Sequence, residues 1–349
     1  MWWKTTSVIL LVYVIIAGIA IPLKPGIDRV SPDSALTGSR LEMQIHGYNT
    51  WYSRADPSDI RVWLQYDSLR AIAGTDIRVI SDTTIAVSFG IPATMPNGGE
   101  RDMLNLIVSH PSDGVSLLPS ALELEADTSG AASSTANWTD NPVEKLHVVR
   151  DFSYPYRNVI YETIRNTYFH VPMWFALMFM FLASVIYSIM YLTRPDETSD
   201  QKAVAFTETG LLFGLLGLTT GMLWAHYAWG KAWSNDIKQL MTAVALLVYA
   251  AYFILRASFD EPEKGARLAA VYNIFAFASL VPLLYIVPRL FASLHPGATG
   301  NPAFGSQDLD NTMRLVFYPS IIGFILLGIW IANIRYRILR LQQAADDQE

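Results

Sequence analysis

The sequence predicts an all-α polytopic membrane protein of six transmembrane helices, with an extracytoplasmic immunoglobulin-like β-sandwich inserted after the first helix. Three observations carry this. Of 349 residues, 52% are hydrophobic and only 16% charged, whereas soluble domains carry nearer a quarter charged residues. The apolar excess falls in blocks long enough to cross a bilayer, which takes about 20 apolar residues per helix. Between the first block and the second lies a long polar region, roughly residues 24–168, built of short alternating segments.

The expected spans are residues 7–23, 171–193, 209–224, 239–255, 268–288 and 315–334. Lys and Arg in the short loops orient them. Lys4, Arg194, Lys202, Arg256, Lys264, Arg267, Arg335, Arg337 and Arg340 fall on one side, against Lys231, Lys238, Arg289 and Arg314 on the other. The richer side is expected inside, so both termini are cytoplasmic and the polar region faces out. The first span is read as a retained anchor. Gly18-Ile19-Ala20 resembles a cleavage site, but the leading segment has one basic residue, the apolar run is long, and proline follows at once.

The polar region reads as β. Residues 41–46, 76–80, 84–89 and 104–108 alternate, and turn signals such as Gly47-Tyr48-Asn49 and Pro96-Asn97-Gly98-Gly99 separate them. The opening, Ile27 to Ser39 followed by Ile45-His46-Gly47-Tyr48-Asn49, resembles the immunoglobulin-like TIG (IPT) family. Residues 127–141 are rich in Ser, Ala, Thr and Gly and read as flexible. The expected division is an anchor at 1–23, a sandwich at 24–126, a linker at 127–165, a five-helix core at 166–340 and a cytoplasmic tail at 341–349.

Composition also excludes. The chain has no cysteine, so it forms no disulfide and attaches no haem covalently through a Cys-x-x-Cys-His element. The net charge of −6 gives no sign of a nucleic-acid partner. No Gly-x-x-x-x-Gly-Lys-Ser/Thr element is present for nucleotide hydrolysis.

The residues with most chemical content lie at the outer ends of the spans. In Trp229-Gly230-Lys231-Ala232-Trp233-Ser234-Asn235-Asp236, a helical conformation puts Trp229, Trp233 and Asp236 on one face, with Trp224 a short turn earlier. Indole planes stack on a macrocycle and their N–H groups reach its carboxylates; the same tryptophans also suit a membrane-interface belt. His170 stands at the mouth of the second span and His295 just past the fifth, each followed closely by proline. Imidazole is a common axial ligand of haem iron, and two on one face beside an aromatic loop point to haem. His226 is a weaker third candidate. His46, His110 and His147 read as ordinary surface residues, and Glu208 as a helix N-terminal charge.

Three motifs resemble the CcmC haem-handling family of cytochrome c maturation. Tyr168-Phe169-His170-Val171-Pro172 is similar to its His-Val-Pro element, Trp229-Gly230-x-x-Trp233-x-x-Asp236 to its tryptophan-rich WWD signature, and Leu294-His295-Pro296 to its second histidine element. Ala232 and Asn235 stand where that signature has tryptophans, and the first outer loop is far longer than the family's. The resemblance implies a haem-delivery protein rather than an enzyme. It implies non-covalent haem b held by His170 and His295 as axial ligands over Trp224, Trp229, Gly230, Trp233 and Asp236, at the periplasmic face of the bacterial inner membrane. The implied partners are a periplasmic haem chaperone, an ABC-type transporter complex and a small membrane subunit, within the lipid bilayer. The alternatives are a haem-lyase subunit, a membrane-anchored binding module working through its β-domain, and a permease. The permease fits poorly, because the span interiors hold almost no charge.

Overall fold

The computed structural model describes residues 2–127, 134–139, 143, 146–158, 160–295 and 309–346. The chain divides into two compact units, Met1–Ile21 with Glu162–Glu349, and Pro22–Tyr161.

The second unit is a two-sheet sandwich. Its strands are β1 Gly26–Ser31, β2 Ser34–Leu36, β3 Arg40–Tyr48, β4 Arg61–Gln65, β5 Ala71–Ala73, β6 Thr75–Ser81, β7 Thr84–Gly90, β8 Arg101–His110 and β9 Gly114–Glu125. One sheet runs β1-β3-β7-β6 and the other β2-β9-β8-β4-β5. Leu41, Met43 and Ile45 of β3 alternate inward and meet Leu104, Leu106 and Val108 of β8 in one shared core. The alternation expected at 41–46, 76–80, 84–89 and 104–108 is thus the core face of four real strands. Strand β4 is invisible to that reading. Its Val62-Trp63-Leu64 run is buried throughout, because Trp63 packs with Ala71 and Ile107 on the face away from the main core.

Several described residues of the expected linker lie against this sandwich, while Glu162 to Arg165 belong to the other unit. The Ser134 N–H donates to the Gly38 carbonyl (2.7 Å), the Trp138 indole N–H to the Thr94 carbonyl (2.8 Å), and the His147 N–H to Ser109 Oγ (2.9 Å). Tyr154 bridges Leu23 and is fully buried. Isolated anchors such as these carry no compositional signal. Residues 128–133, 140–142, 144, 145 and 159 fall outside the described residues. His110 is not a surface residue. It is 1% exposed, and its Nδ1 accepts the Asp113 N–H.

The other unit is helical: α1 Trp2–Ala20, α2 His170–Thr193, α3 Glu197–Trp229, α4 Ile237–Ala257, α5 Pro262–Val281 and α6 Asn311–Asp346. All six are long and apolar enough to cross a membrane. Polar caps carry several helices beyond their apolar cores. Asp196 caps α3 by accepting the Ser199 N–H (2.9 Å), which starts the helix about three turns before Glu208. Glu208 is therefore not an N-terminal charge. It sits inside α3 and accepts from Arg335 of α6 through the guanidinium Nε and Nη2. Residues 341–346 of the expected tail continue α6.

Two packings fix the bundle. Along α6, Pro319 supplies no N–H to the helix, and the carbonyl this leaves, that of Leu315, accepts the Tyr13 hydroxyl of α1 (3.1 Å). Nearby, Ser7 Oγ donates to the Gly323 carbonyl. Between α2 and α3 the device is a stripe of glycines. A Cβ at Gly210 would meet Phe181, at Gly214 Leu177, at Gly217 Trp174 and at Gly221 His170, all within 3 Å. Each step toward the start of α2 is matched by an equal step toward the end of α3, so the antiparallel register is single. Small residues that let backbones approach are the usual means of packing helices in lipid, where burial supplies little driving force. The last rung of this ladder is His170.

Candidate functional site

Asp236 organises the end of the bundle where α2 begins and α3 ends. Helix α3 stops at Gly230, whose φ of +73° is a left-handed cap that glycine adopts without strain. The loop beyond is not helical, so Trp229, Trp233 and Asp236 do not share a helix face. Asp236 instead begins α4 as its cap, accepting the Lys238 N–H (2.9 Å). The same carboxylate accepts Ser293 Oγ (3.1 Å), the Leu294 N–H (2.8 Å) and His295 Nδ1 (2.9 Å). Its side chain is 2% exposed. One buried carboxylate thus ties the segment after α5 to the start of α4. Gln239 clamps the loop from below, accepting from Ser234 and donating to the Ala232 carbonyl.

The pairing fixes the His295 tautomer. A carboxylate only accepts, so Nδ1 carries the proton and Nε2 keeps its lone pair. Among the described residues nothing hydrogen-bonds to that Nε2. Trp229 stands edge-on to the ring at 4.8 Å between centroids, and Trp224 lies at 6.1 Å from it and 5.0 Å from Trp229. Burial holds the His295 pKa below the usual 6.5 despite the opposing pull of Asp236. Burial pushes Asp236 up, but the Leu294 and Lys238 amides and Ser293 outweigh it and leave its pKa below the ordinary carboxylate value. At neutral pH the pair is a charged carboxylate and a neutral imidazole.

His170 is presented in the same protonation pattern. Thr220 Oγ1 lies 2.9 Å from the Leu216 carbonyl and 3.0 Å from that of Gly217, and gives its proton to the helix. It therefore accepts His170 Nδ1–H at 3.0 Å. The lone pair is again on Nε2, where the Trp174 indole N–H approaches to 3.3 Å. Gly221, against which His170 rests, and Trp224, beside His295, are three residues apart and share one face of α3.

The other expected residues lie further out. Trp233 is 37% exposed, with its indole N–H donated to Asn235 Oδ1 (2.8 Å). Asn235 has a φ of +56°, a conformation asparagine tolerates far better than tryptophan. Gly230 acts as the helix cap. His226 is exposed, its ring against Tyr227 at 5.3 Å, and is not drawn into the cluster. Pro296 and the rest of 296–308 lie outside the described residues.

Two imidazoles beside aromatic edges suit a planar metal macrocycle whose metal would take imidazole nitrogen. Among the described residues no group of three or more His, Asp or Glu would hold a bare ion. Sequence reasoning passed over Trp174, Thr220, Gly221, Gln239 and Ser293. The i to i+4 spacing of His170 and Trp174, and the glycine run 210, 214, 217, 221, were the available signals.

Acidification should loosen this site. His295 and Asp236 both titrate below their ordinary values, so their contribution is complete above about pH 6.5. It is lost as the pH falls through their lowered pKa values, because the unfolded chain takes up protons first. Retention of a bound porphyrin should be flat from pH 7 to 8 and fall below pH 6, as followed by absorbance. Retention that improves on acidification would contradict the assignment of charges.

The CcmC family, described as heme exporter protein C, matches residues 152–349. Heme exporter protein C of Bradyrhizobium diazoefficiens is 28% identical over 180 residues, covering 51% of this chain and 68% of that protein. Heme exporter protein C of Haemophilus influenzae is 24% identical over 184 residues, covering 53% and 74%. A cytochrome c biogenesis protein CcsA of Synechococcus is 32% identical over 83 residues, covering 24% and 27%. With more than half of its length matched and six membrane-length helices, the chain is a multi-pass membrane protein that belongs to the heme exporter protein C (CcmC) family.

Proposed function

We propose that this protein binds haem b non-covalently at the periplasmic face of the bacterial inner membrane and delivers it to a periplasmic haem chaperone for cytochrome c biogenesis. It catalyses no attachment itself. The observation that carries the reading is the buried Asp236 carboxylate fixing His295 beside Trp224 and Trp229, with no hydrogen bond to its Nε2 among the described residues. His170 and His295 would hold the haem iron through imidazole nitrogen. Trp224 and Trp229 offer flat apolar contact, and Trp233, on the exposed loop, extends it. Haem supplies an iron that accepts imidazole nitrogen, and the rest of the chemistry here is holding and release.

The excess of Lys and Arg in the loops opposite this site supports an outward-facing site with both termini cytoplasmic. The names of the relatives support an exporter assembly, and an ABC-type complex with a small membrane subunit is the proposed setting. The likeness to CcsA supports a second reading, a haem-lyase subunit. It covers only 27% of that protein, which favours delivery.

The test is purification. The protein should carry b-type haem whose spectrum indicates six-coordinate iron with nitrogen ligands. His170→Ala and His295→Ala should each abolish that spectrum and lower haem occupancy. If both variants keep the wild-type spectrum, the ligand assignment is wrong.

A further inference from the structure

Both candidate ligands carry the proton on Nδ1, yet their Nε2 atoms are treated differently. That of His295 receives no hydrogen bond among the described residues. That of His170 faces the Trp174 indole N–H at 3.3 Å, with the two rings nearly perpendicular. Trp174 has little freedom to leave this place. It lies one turn along α2 from His170 and packs on Gly217 of α3, where a Cβ would stand 2.9 Å from its ring. His170 Nδ1 is committed to Thr220 on the other side, so Nε2 is the nitrogen left for a metal, and it is the one that is capped.

We infer that Trp174 is a positioning residue whose indole N–H occupies the His170 lone pair in the empty protein and competes with iron for it. The inference rests on His170 being a haem ligand. An N–H cannot share a lone pair with iron, so ligation at His170 breaks this hydrogen bond, and release of haem restores it. The cap would weaken the net attachment of a metal at His170 by the worth of that hydrogen bond. A carrier that must surrender its cargo needs one such bond, while His295, held by Asp236 and with no cap on Nε2 among the described residues, would be the firmer partner.

The experiment has two arms. In the haem-free protein, a free imidazole lone pair attacks a carbonyl of diethylpyrocarbonate and takes up its ethoxycarbonyl group as ethyl carbonate leaves, and peptide mass spectrometry reads the rate at His170 with His295 as internal reference. Trp174→Phe removes the N–H. A benzothienylalanine at position 174 keeps the bicyclic shape, replaces the N–H by sulfur and controls for packing. Both changes should raise the His170 rate relative to His295 by roughly 2- to 10-fold, the worth of one neutral hydrogen bond. In the loaded protein, transfer of haem to apomyoglobin should slow by a similar factor. An unchanged His170 rate with the shape-retaining residue, or faster haem loss in both variants, overturns the proposal. A purely structural Trp174 would loosen the site and speed release, the opposite direction. If wild-type protein takes up no haem, the functional reading falls, while the haem-free arm still decides whether the cap exists.

Discussion

Asp236→Ala should cost the fold of this end of the bundle and, on the proposed function, its haem. The substitution removes a helix cap, worth about 1 kcal/mol. It also strands the Lys238 and Leu294 amides, the Ser293 hydroxyl and the His295 Nδ1–H, which all converge on this carboxylate. Buried donors left unmatched cost about 1–3 kcal/mol each, though not additively, so a loss of roughly 3–5 kcal/mol is expected in thermal unfolding. Asp236→Asn separates the effects. Its oxygen keeps the cap and the His295 bond, but its NH2 then faces the Leu294 N–H, donor against donor. Stability should fall less, while haem affinity drops by about 10- to 100-fold, the range for losing a ligand's carboxylate partner. An Asp236→Ala protein with wild-type melting temperature and haem affinity would refute this account of the site.

The glycine ladder gives the second large effect, and its two ends should respond differently. A methyl group at Gly210 would lie 2.5 Å from the Phe181 ring. That ring is fully buried and stacked on Tyr249 with centroids 3.4 Å apart, so it has nowhere to go. Gly210→Ala should destabilise by about 1–3 kcal/mol through overpacking. At Gly221 the methyl would lie 2.7 Å from His170 Cε1, the far end of a partly exposed side chain. Gly221→Ala should leave melting within about 1 kcal/mol of wild type, because His170 swings aside. The displaced imidazole should cost the six-coordinate spectrum. Equal stability losses at both positions would show that the register does not set the histidine.

How much was legible follows from which forces leave periodic traces. The six spans were plain because lipid demands long apolar runs, and β3 because one of its faces is buried. Strand β4 was not, since Trp63 covers its second face and erases the alternation. At the site, the residue types were readable and the arrangement was not. Trp229, Trp233 and Asp236 have helical spacing, but Gly230 and Asn235 in left-handed conformations end the helix and leave Asp236 to cap the next one. Its bond to His295 joins positions about 60 residues apart, and no local pattern encodes that. Glu208 misled for a related reason. The capped polar turns before it extend α3, and its partner Arg335 lies in the last helix.

The assembly of the site from distant segments also sets a timetable. His170 leaves the ribosome about 125 residues before His295, a delay of roughly 6–25 s at ordinary translation rates. Through that interval the nascent protein holds one capped imidazole and an Asp236 with no histidine to orient. Only when the fifth helix is inserted, and the segment behind it folds back onto Asp236, does the second nitrogen come into place. On the proposed function, a half-made chain would be blind to its reactive cargo, and the competence to capture it would be switched on late, as the segment after α5 closes.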